Sequence, residues 1–232
     1  MYLTRFRINT ARVTARRLLA SPQNLHAAVM SSYADAPDPE RDGARVLWRL
    51  DTSSDRAQTH LYIVSPARPD LTHMVEQAGW PTTAPQGWNT YEYAPLLTRL
   101  AKGDRWRFRL TANPVHTARR NDNEPTKLTA HVGRVHQKNW LLDRQHAAGF
   151  QIVEKPLADR ALAEGDEHEL LLHNRRQLSF RRGRPPQNVT LVTLTYDGLL
   201  EVTDPQAFRH TLTNGLGRAK AYGCGLITLA PA

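Results

Sequence analysis

Apolar and polar positions alternate from the first residues of the chain. In residues 2–9, Tyr2, Phe6 and Ile8 share one face while Arg5 and Arg7 share the other, which predicts a strand buried on one side. Ser21-Pro22 reads as a helix start, with serine at the N-cap and proline at the first helical position. Leu25, Ala28, Val29 and Ser32 then follow at helical spacing. Two further strands are predicted over 45–51 and 59–65, separated by the polar Thr52-Ser53-Ser54-Asp55. Asp70 caps a predicted short helix that runs to Ala78 and ends at Gly79. After a Pro- and Gly-rich loop, Arg105-Trp106-Arg107-Phe108-Arg109-Leu110 alternates without a break.

The order β-α-β-β-α-β is the ferredoxin-like unit, a sheet with helices on one face and the other face open. On that reading Trp106, Phe108 and Leu110 face the helices, and Arg105, Arg107, Arg109, Arg5 and Arg7 face outward. Arg45 and Arg49 alternate with Val46, Trp48 and Leu50 in the same way. The remainder, from about Pro114, reads as a degraded second copy. It has a helix over 137–147 carrying Trp140, Leu141 and Arg144, and strands over 189–196 and 199–202 around an Asp197-Gly198 hairpin turn. A helix opened by Asp204-Pro205 closes at Gly215, and a last strand covers 226–229. Between 112 and 132 no element is legible, and Asn121-Asp122-Asn123-Glu124-Pro125 has the composition of a loop. The expected fold is α+β: two tandem ferredoxin-like domains, 1–113 and 114–232, with a C-terminal glycine-rich loop.

Charge sharpens this picture. With 232 residues the chain can bury a sizeable core. Its 31 Lys and Arg against 22 Asp and Glu give a net charge of +9 and a pI near 10.1, which points to nucleic acid or an anionic surface. No run reaches the ~18 apolar residues a membrane span needs, and no signal-peptide core follows Met1. The single cysteine, Cys224, excludes an internal disulfide and a Cys-based zinc site, and a cytoplasmic protein is the simplest expectation.

Ten histidines raise the question of a metal, but no His-x-x-x-His or His-Glu-x-x-His pair exists, and neither metal nor other cofactor is expected. The arginines are more telling. Residues 170–196 hold Arg175, Arg176, Arg181, Arg182 and Arg184 with no Asp or Glu. Arg181-Arg182-Gly183-Arg184-Pro185-Pro186 resembles an exposed hairpin tip able to enter a nucleic-acid groove. Arg119, Arg120 and Lys127 form a second patch. Each phosphate such residues contact contributes through counterion release, although a solvated charged loop has the same composition. Near the end, Gly215, Gly217, Gly223 and Gly225 flank Arg218 and Lys220 with no carboxylate among them. Glycines of this kind let backbone N–H groups form a concave anion site. His26 is the candidate proton carrier, since histidine titrates near pH 6.5. It borders the apolar face of its helix close to the N-terminal end, where anions are favoured. Taken alone, a histidine there is more often a boundary packing residue.

Together these segments resemble a known family. Met1-Tyr2-Leu3, Leu25-His26, Arg109-Leu110-Thr111-Ala112-Asn113-Pro114 and the stretch from Gly215 to Leu226 are similar, in order and over the whole length, to CasE. CasE is the endoribonuclease family of type I-E CRISPR systems, in the RAMP superfamily. The resemblance implies metal-independent cleavage of CRISPR repeat stem-loops in precursor crRNA, on the 3′ side of the stem base. It also implies that the protein stays on the mature crRNA with the other subunits of the Cascade complex. It carries over His26 as the catalytic histidine and 215–225 as the glycine-rich RNA-binding loop. Many family members have a tyrosine three residues before the histidine, where this chain has Gln23. An amide can bind a phosphate oxygen but cannot transfer a proton, so the second proton carrier stays open among water, Lys220 and Tyr33. The alternative is a non-catalytic RAMP-fold RNA-binding subunit. A DNA-binding regulator is disfavoured, because no helix-turn-helix pattern is visible.

Overall fold

The computed structural model describes residues 1–35, 37–38, 43–53, 58–81, 87–118, 127–162, 164–183, 185 and 187–232. The first unit runs β1 (Tyr2–Ile8), α1 (Val13–Leu19), α2 (Pro22–Met30), β2 (Leu47–Thr52), β3 (Thr59–Ser65), α3 (Thr72–Ala78) and β4 (Trp88–Glu92). Its strands are all antiparallel in the order β2-β3-β1-β4, the ferredoxin-like arrangement. Phe6 and Ile8 of β1, Trp48 of β2, and Leu61 and Ile63 of β3 pack against Leu25 and Val29 of α2 and Met74 of α3. Pro22 opens α2 as expected, without a side-chain cap from Ser21. Before α3, Asp70 Oδ1 accepts the Thr72 N–H at 2.9 Å.

The second unit follows α4 (Ala94–Arg99). It comprises β5 (Arg105–Ala112), β6 (Val115–Ala118), β7 (Lys127–Ala130), α5 (Arg134–Gln145), β8 (Phe150–Ile152), β9 (Leu170–Arg182), β10 (Gln187–Val202), α6 (Pro205–Asn214) and β11 (Ile227–Pro231). The sheet order is β11-β5-β10-β8, with β9 also pairing β10, so β8 and β9 share one strand position of a second ferredoxin-like unit. Asp204 caps α6 by accepting the N–H groups of Gln206 and Ala207, and Gly215 ends the helix at φ +76°.

Three expectations are corrected. The strand at 105–110 does not close the first sheet. Trp88–Glu92 takes that edge against β1, while β5 lies between β10 and β11 in the second sheet. The division between sheets therefore falls before Arg105 rather than after Asn113. β4 was illegible because none of its residues is fully buried, so it carries no apolar alternation. Nor is Asp197-Gly198 a turn, because β10 runs through it. A Cβ on Gly198 would stand 2.3 Å from the Glu169 carbonyl oxygen and 3.0 Å from the Phe108 ring, so glycine here permits close backbone approach. The helices α1 and α4 and the β6–β7 pair also went unread, being too short for a periodic signal. The segment 121–125 lies outside the described residues.

The third correction concerns the cationic strand face, which is not open. Leu47 and Val64 on that side belong to the core of the second unit, with Leu3 and Tyr62 packed against it. Arg49 is 1% exposed between the sheets. Its Nη1 donates to the carbonyls of Arg109 (2.7 Å) and Leu226 (3.0 Å), Nε and Nη2 grip Asp51 at 2.7 and 2.8 Å, and Nη2 reaches Thr228 Oγ1 at 2.7 Å. Arg109 forms a bidentate pair with Asp197 at 2.7 and 2.6 Å, and Arg105 meets Glu201 at 2.9 Å. These three cations are structural. Arg5, Arg7 and Arg107 remain exposed. No helix among the described residues is long and apolar enough to cross a membrane.

Candidate active site and nucleic-acid interface

His26 sits half-buried on α2, where that helix packs against a short 3₁₀ turn, Lys220–Tyr222, within the glycine-rich loop. The Trp48 indole Nε1–H donates to His26 Nδ1 at 3.4 Å. Burial pushes the histidine pKa below its usual 6.5, because a half-desolvated ring resists charge. A nitrogen that accepts carries no proton, so neutral His26 holds its proton on Nε2. The same indole supports the loop. A Cβ on Gly223 would come within 2.7 Å of the Trp48 ring, and Gly223 has φ +80°. Trp48 therefore touches the loop with its six-membered ring and the histidine with its N–H.

Gly217 repeats the device, since its Cβ would meet the Trp140 ring at 2.8 Å. A Cβ on Gly215 would strike Leu47 at 2.8 Å, and one on Gly225 the Leu216 carbonyl at 2.9 Å. These glycines thus have a packing reason that the sequence did not reveal. The loop is closed at its base by Leu216 N–H to Gly225 O (2.9 Å) and Gly225 N–H to Thr111 O (2.8 Å). The N–H groups of Gly217, Arg218 and Ala219 have no partner among the described residues, which leaves them free to meet an anion. Arg218 is exposed. Lys220 is half-buried, and burial, then the nearby Arg45 charge, lowers its pKa. Cys224 is fully buried and its thiol is pushed up to about 12, so it is no nucleophile.

The arginine-rich segment forms the long β9–β10 hairpin, whose Phe180 meets Tyr222 of the loop edge-on at 4.8 Å. α2 also packs on β9, so the hairpin and His26 share one side of the molecule. Arg175, Arg176, Arg181 and Arg182 are exposed, and none pairs with a carboxylate among the described residues. Arg176 Nε donates to Asn174 Oδ1 at 2.9 Å. Arg119, Arg120 and Arg184 lie outside the described residues, and Lys127 opens β7. Gln23 is half-buried one turn before His26. Tyr33 drops out as a proton carrier. Its hydroxyl is buried and burial pushes its pKa up to about 12. Trp48 is the site residue that sequence reasoning missed, because its alternation with Arg49 marked it only as core.

Over its whole length the chain is similar to known proteins. The CRISPR associated protein family model matches residues 1–231. The chain is 29% identical over 237 residues to the CRISPR-associated endoribonuclease Cse3 of Thermus thermophilus, covering 100% of both. CRISPR endoribonuclease Cse3 bound to 19 nt RNA matches with a TM-score of 0.76 at 26% identity, covering 99% of each chain. Thermus thermophilus Cse3 bound to an RNA representing a pre-cleavage complex also gives 0.76 at 26% identity, covering 99% of this chain and 98% of that one. Cas6e from Escherichia coli K-12 shares the fold, with a TM-score of 0.63 at 20% identity over both whole chains.

Proposed function

This chain belongs to the CRISPR associated protein family, and from that premise we propose that it is an endoribonuclease of CRISPR repeat RNA. It cuts the repeat stem-loop in precursor crRNA without a metal ion and stays on the product as a Cascade subunit, in the cytoplasm. The observation that carries this reading is the junction at His26. A titratable ring, a loop whose N–H groups meet no described acceptor and a hairpin whose arginines meet no described carboxylate lie on one side of a chain similar end to end to Cse3.

Metal-free RNA cleavage uses the RNA's own 2′-OH. Its oxygen attacks the adjacent phosphorus in line, the P–O5′ bond breaks, and a 2′,3′-cyclic phosphate and a 5′-OH result. The 2′-OH must lose a proton, the 5′-oxygen must gain one, and the phosphorane charge must be stabilised. Lys220, on the turn packed against α2, and the neighbouring Ala219 N–H supply the last. His26 handles a proton at Nε2. Acting as acid there, the ring must be imidazolium; acting as base, it must carry its only proton on Nδ1. Either way Nδ1 is protonated and the Trp48 bond opens, so that bond holds the histidine in a resting form. Gln23 lies one turn away on the same helix and orients a phosphate oxygen.

The test is single-turnover cleavage of repeat RNA in excess chelator. His26→Ala should lose at least a hundredfold in rate, about 2.7 kcal/mol or more, and keep RNA affinity within a few-fold. Gln23→Ala should lose less than tenfold. Wild-type cleavage rates in His26→Ala would point to the non-catalytic RNA-binding subunit instead.

A further inference from the structure

The glycine-rich loop has two ends. Gly223 rests on Trp48 beside His26, whereas Gly217 rests on Trp140, and there the loop borders a cleft of about 330 Å³. Asn113, His116, Arg144, Gly217 and Arg218 line it. The Arg144 guanidinium lies 4.6 Å above the Trp140 ring and donates to the Trp140 carbonyl at 2.8 Å. It has no carboxylate partner among the described residues, so its charge is positioned but not neutralised. Arg218 and the unpartnered Gly217 N–H add to the same anion-binding character.

Two other groups ask for more than an anion. Asn113 Oδ1 is buried and accepts from no described donor, a vacancy that a ligand O–H or N–H would fill. His116 is exposed at the rim, its ring 4.4 Å from His131, which in turn stacks on His136 at 5.8 Å. Such a backed ring is a platform for a flat base. Inorganic phosphate would satisfy only the cations; a ribonucleotide offers the phosphate, a 2′-OH or amine donor, and a planar face together.

We propose that this cleft is a second nucleotide subsite, which holds an unpaired ribonucleotide of the strand flanking the cut phosphate. The continuous loop between Gly217 and Gly223 carries the strand from one site to the other. The proposal rests on the endoribonuclease reading and extends it to unpaired nucleotides beyond the stem.

The experiment measures affinity by fluorescence anisotropy, using repeat RNA with 2′-deoxyribose at the cut. One RNA keeps its single-stranded flanks, and another is trimmed to the stem with one nucleotide past the cut. Trimming should weaken wild-type binding at least tenfold, but Asn113→Ala and Arg218→Ala less than threefold. Arg218 is exposed, so its variant tests the cleft even where Asn113→Ala disturbs the fold. Equal losses in wild type and both variants, or no loss in wild type, would overturn the subsite while leaving cleavage of the intact stem-loop untouched. A wild-type protein that neither binds nor cuts the intact repeat would overturn both readings.

Discussion

Arg49 and the pair Arg181–Arg182 both read in sequence as outward-facing cations of a basic chain, the first in an alternating strand and the second at a hairpin tip. In the folded molecule they are opposites. Arg49 is buried between the two sheets, gripping Asp51 with two nitrogens and reaching two carbonyls and a hydroxyl across the interface. Arg181 and Arg182 stand exposed on β9 with no carboxylate partner among the described residues. A cation whose charge is consumed inside the protein joins domains. One whose charge is left over is available to a phosphate. Net charge cancels each cation against a carboxylate wherever the two sit, so +9 says how much positive charge is left over but not which arginines carry it.

The largest effect expected from this contrast is on stability. Arg49→Ala leaves Asp51 paired, among the described residues, only with Arg109 Nη1 at 3.6 Å, removes the donor to two carbonyls between the sheets, and should cost about 3 kcal/mol in urea unfolding. Replacing both partners, Arg49→Met with Asp51→Leu, should recover much of that loss. By contrast Arg181→Ala with Arg182→Ala should stay within about 0.5 kcal/mol of wild type, as surface substitutions usually do. Equal destabilisation by the two sets would remove the distinction.

Next comes RNA affinity. The Arg181→Ala, Arg182→Ala double variant should weaken repeat-RNA binding and flatten the slope of log K against log salt by about one or more, at ~0.7–0.9 per phosphate contact. An unchanged slope would make the hairpin a solvated loop.

Trp48→Phe probes the resting bond on the catalytic side, with an effect confined to pH. The indole donor contacts only the neutral form of His26, so its removal favours the protonated ring and raises the pKa that burial holds below 6.5. The limb of the single-turnover pH profile that reports His26 should move to higher pH. A limb that stays put would leave Trp48 a packing residue under Gly223.

The smallest effect belongs to Arg105. It is paired with Glu201 yet 58% exposed on its side chain, so Arg105→Ala should change stability by less than about 1 kcal/mol and leave the salt slope alone. A flattened slope would show that a paired surface arginine still serves RNA.

Much of the outline was legible because it depends on local chemistry. Alternation placed β1 and β3, Asp204-Pro205 with Gly215 bounded α6, and Pro22 with the spacing of Leu25 and Val29 put His26 on the border of a buried helix face. Partnership between distant segments was not legible. Residues 105–112 alternate strongly in either sheet, and only the pairing of β5 with β10 and β11 decides which one they join. The dipeptide Asp197-Gly198 has turn chemistry, yet Phe108 and Glu169 press against that glycine and keep the strand straight. The sequence alone determined a basic, two-unit α+β chain with a histidine near a glycine-rich end. Tertiary structure alone decided that the indole of Trp48 joins those two features, and which arginines keep an unspent charge. The reason is physical: periodicity and turn preference act over a few neighbouring residues, whereas burial and tertiary hydrogen bonding depend on groups brought together from 22 to 179 residues apart.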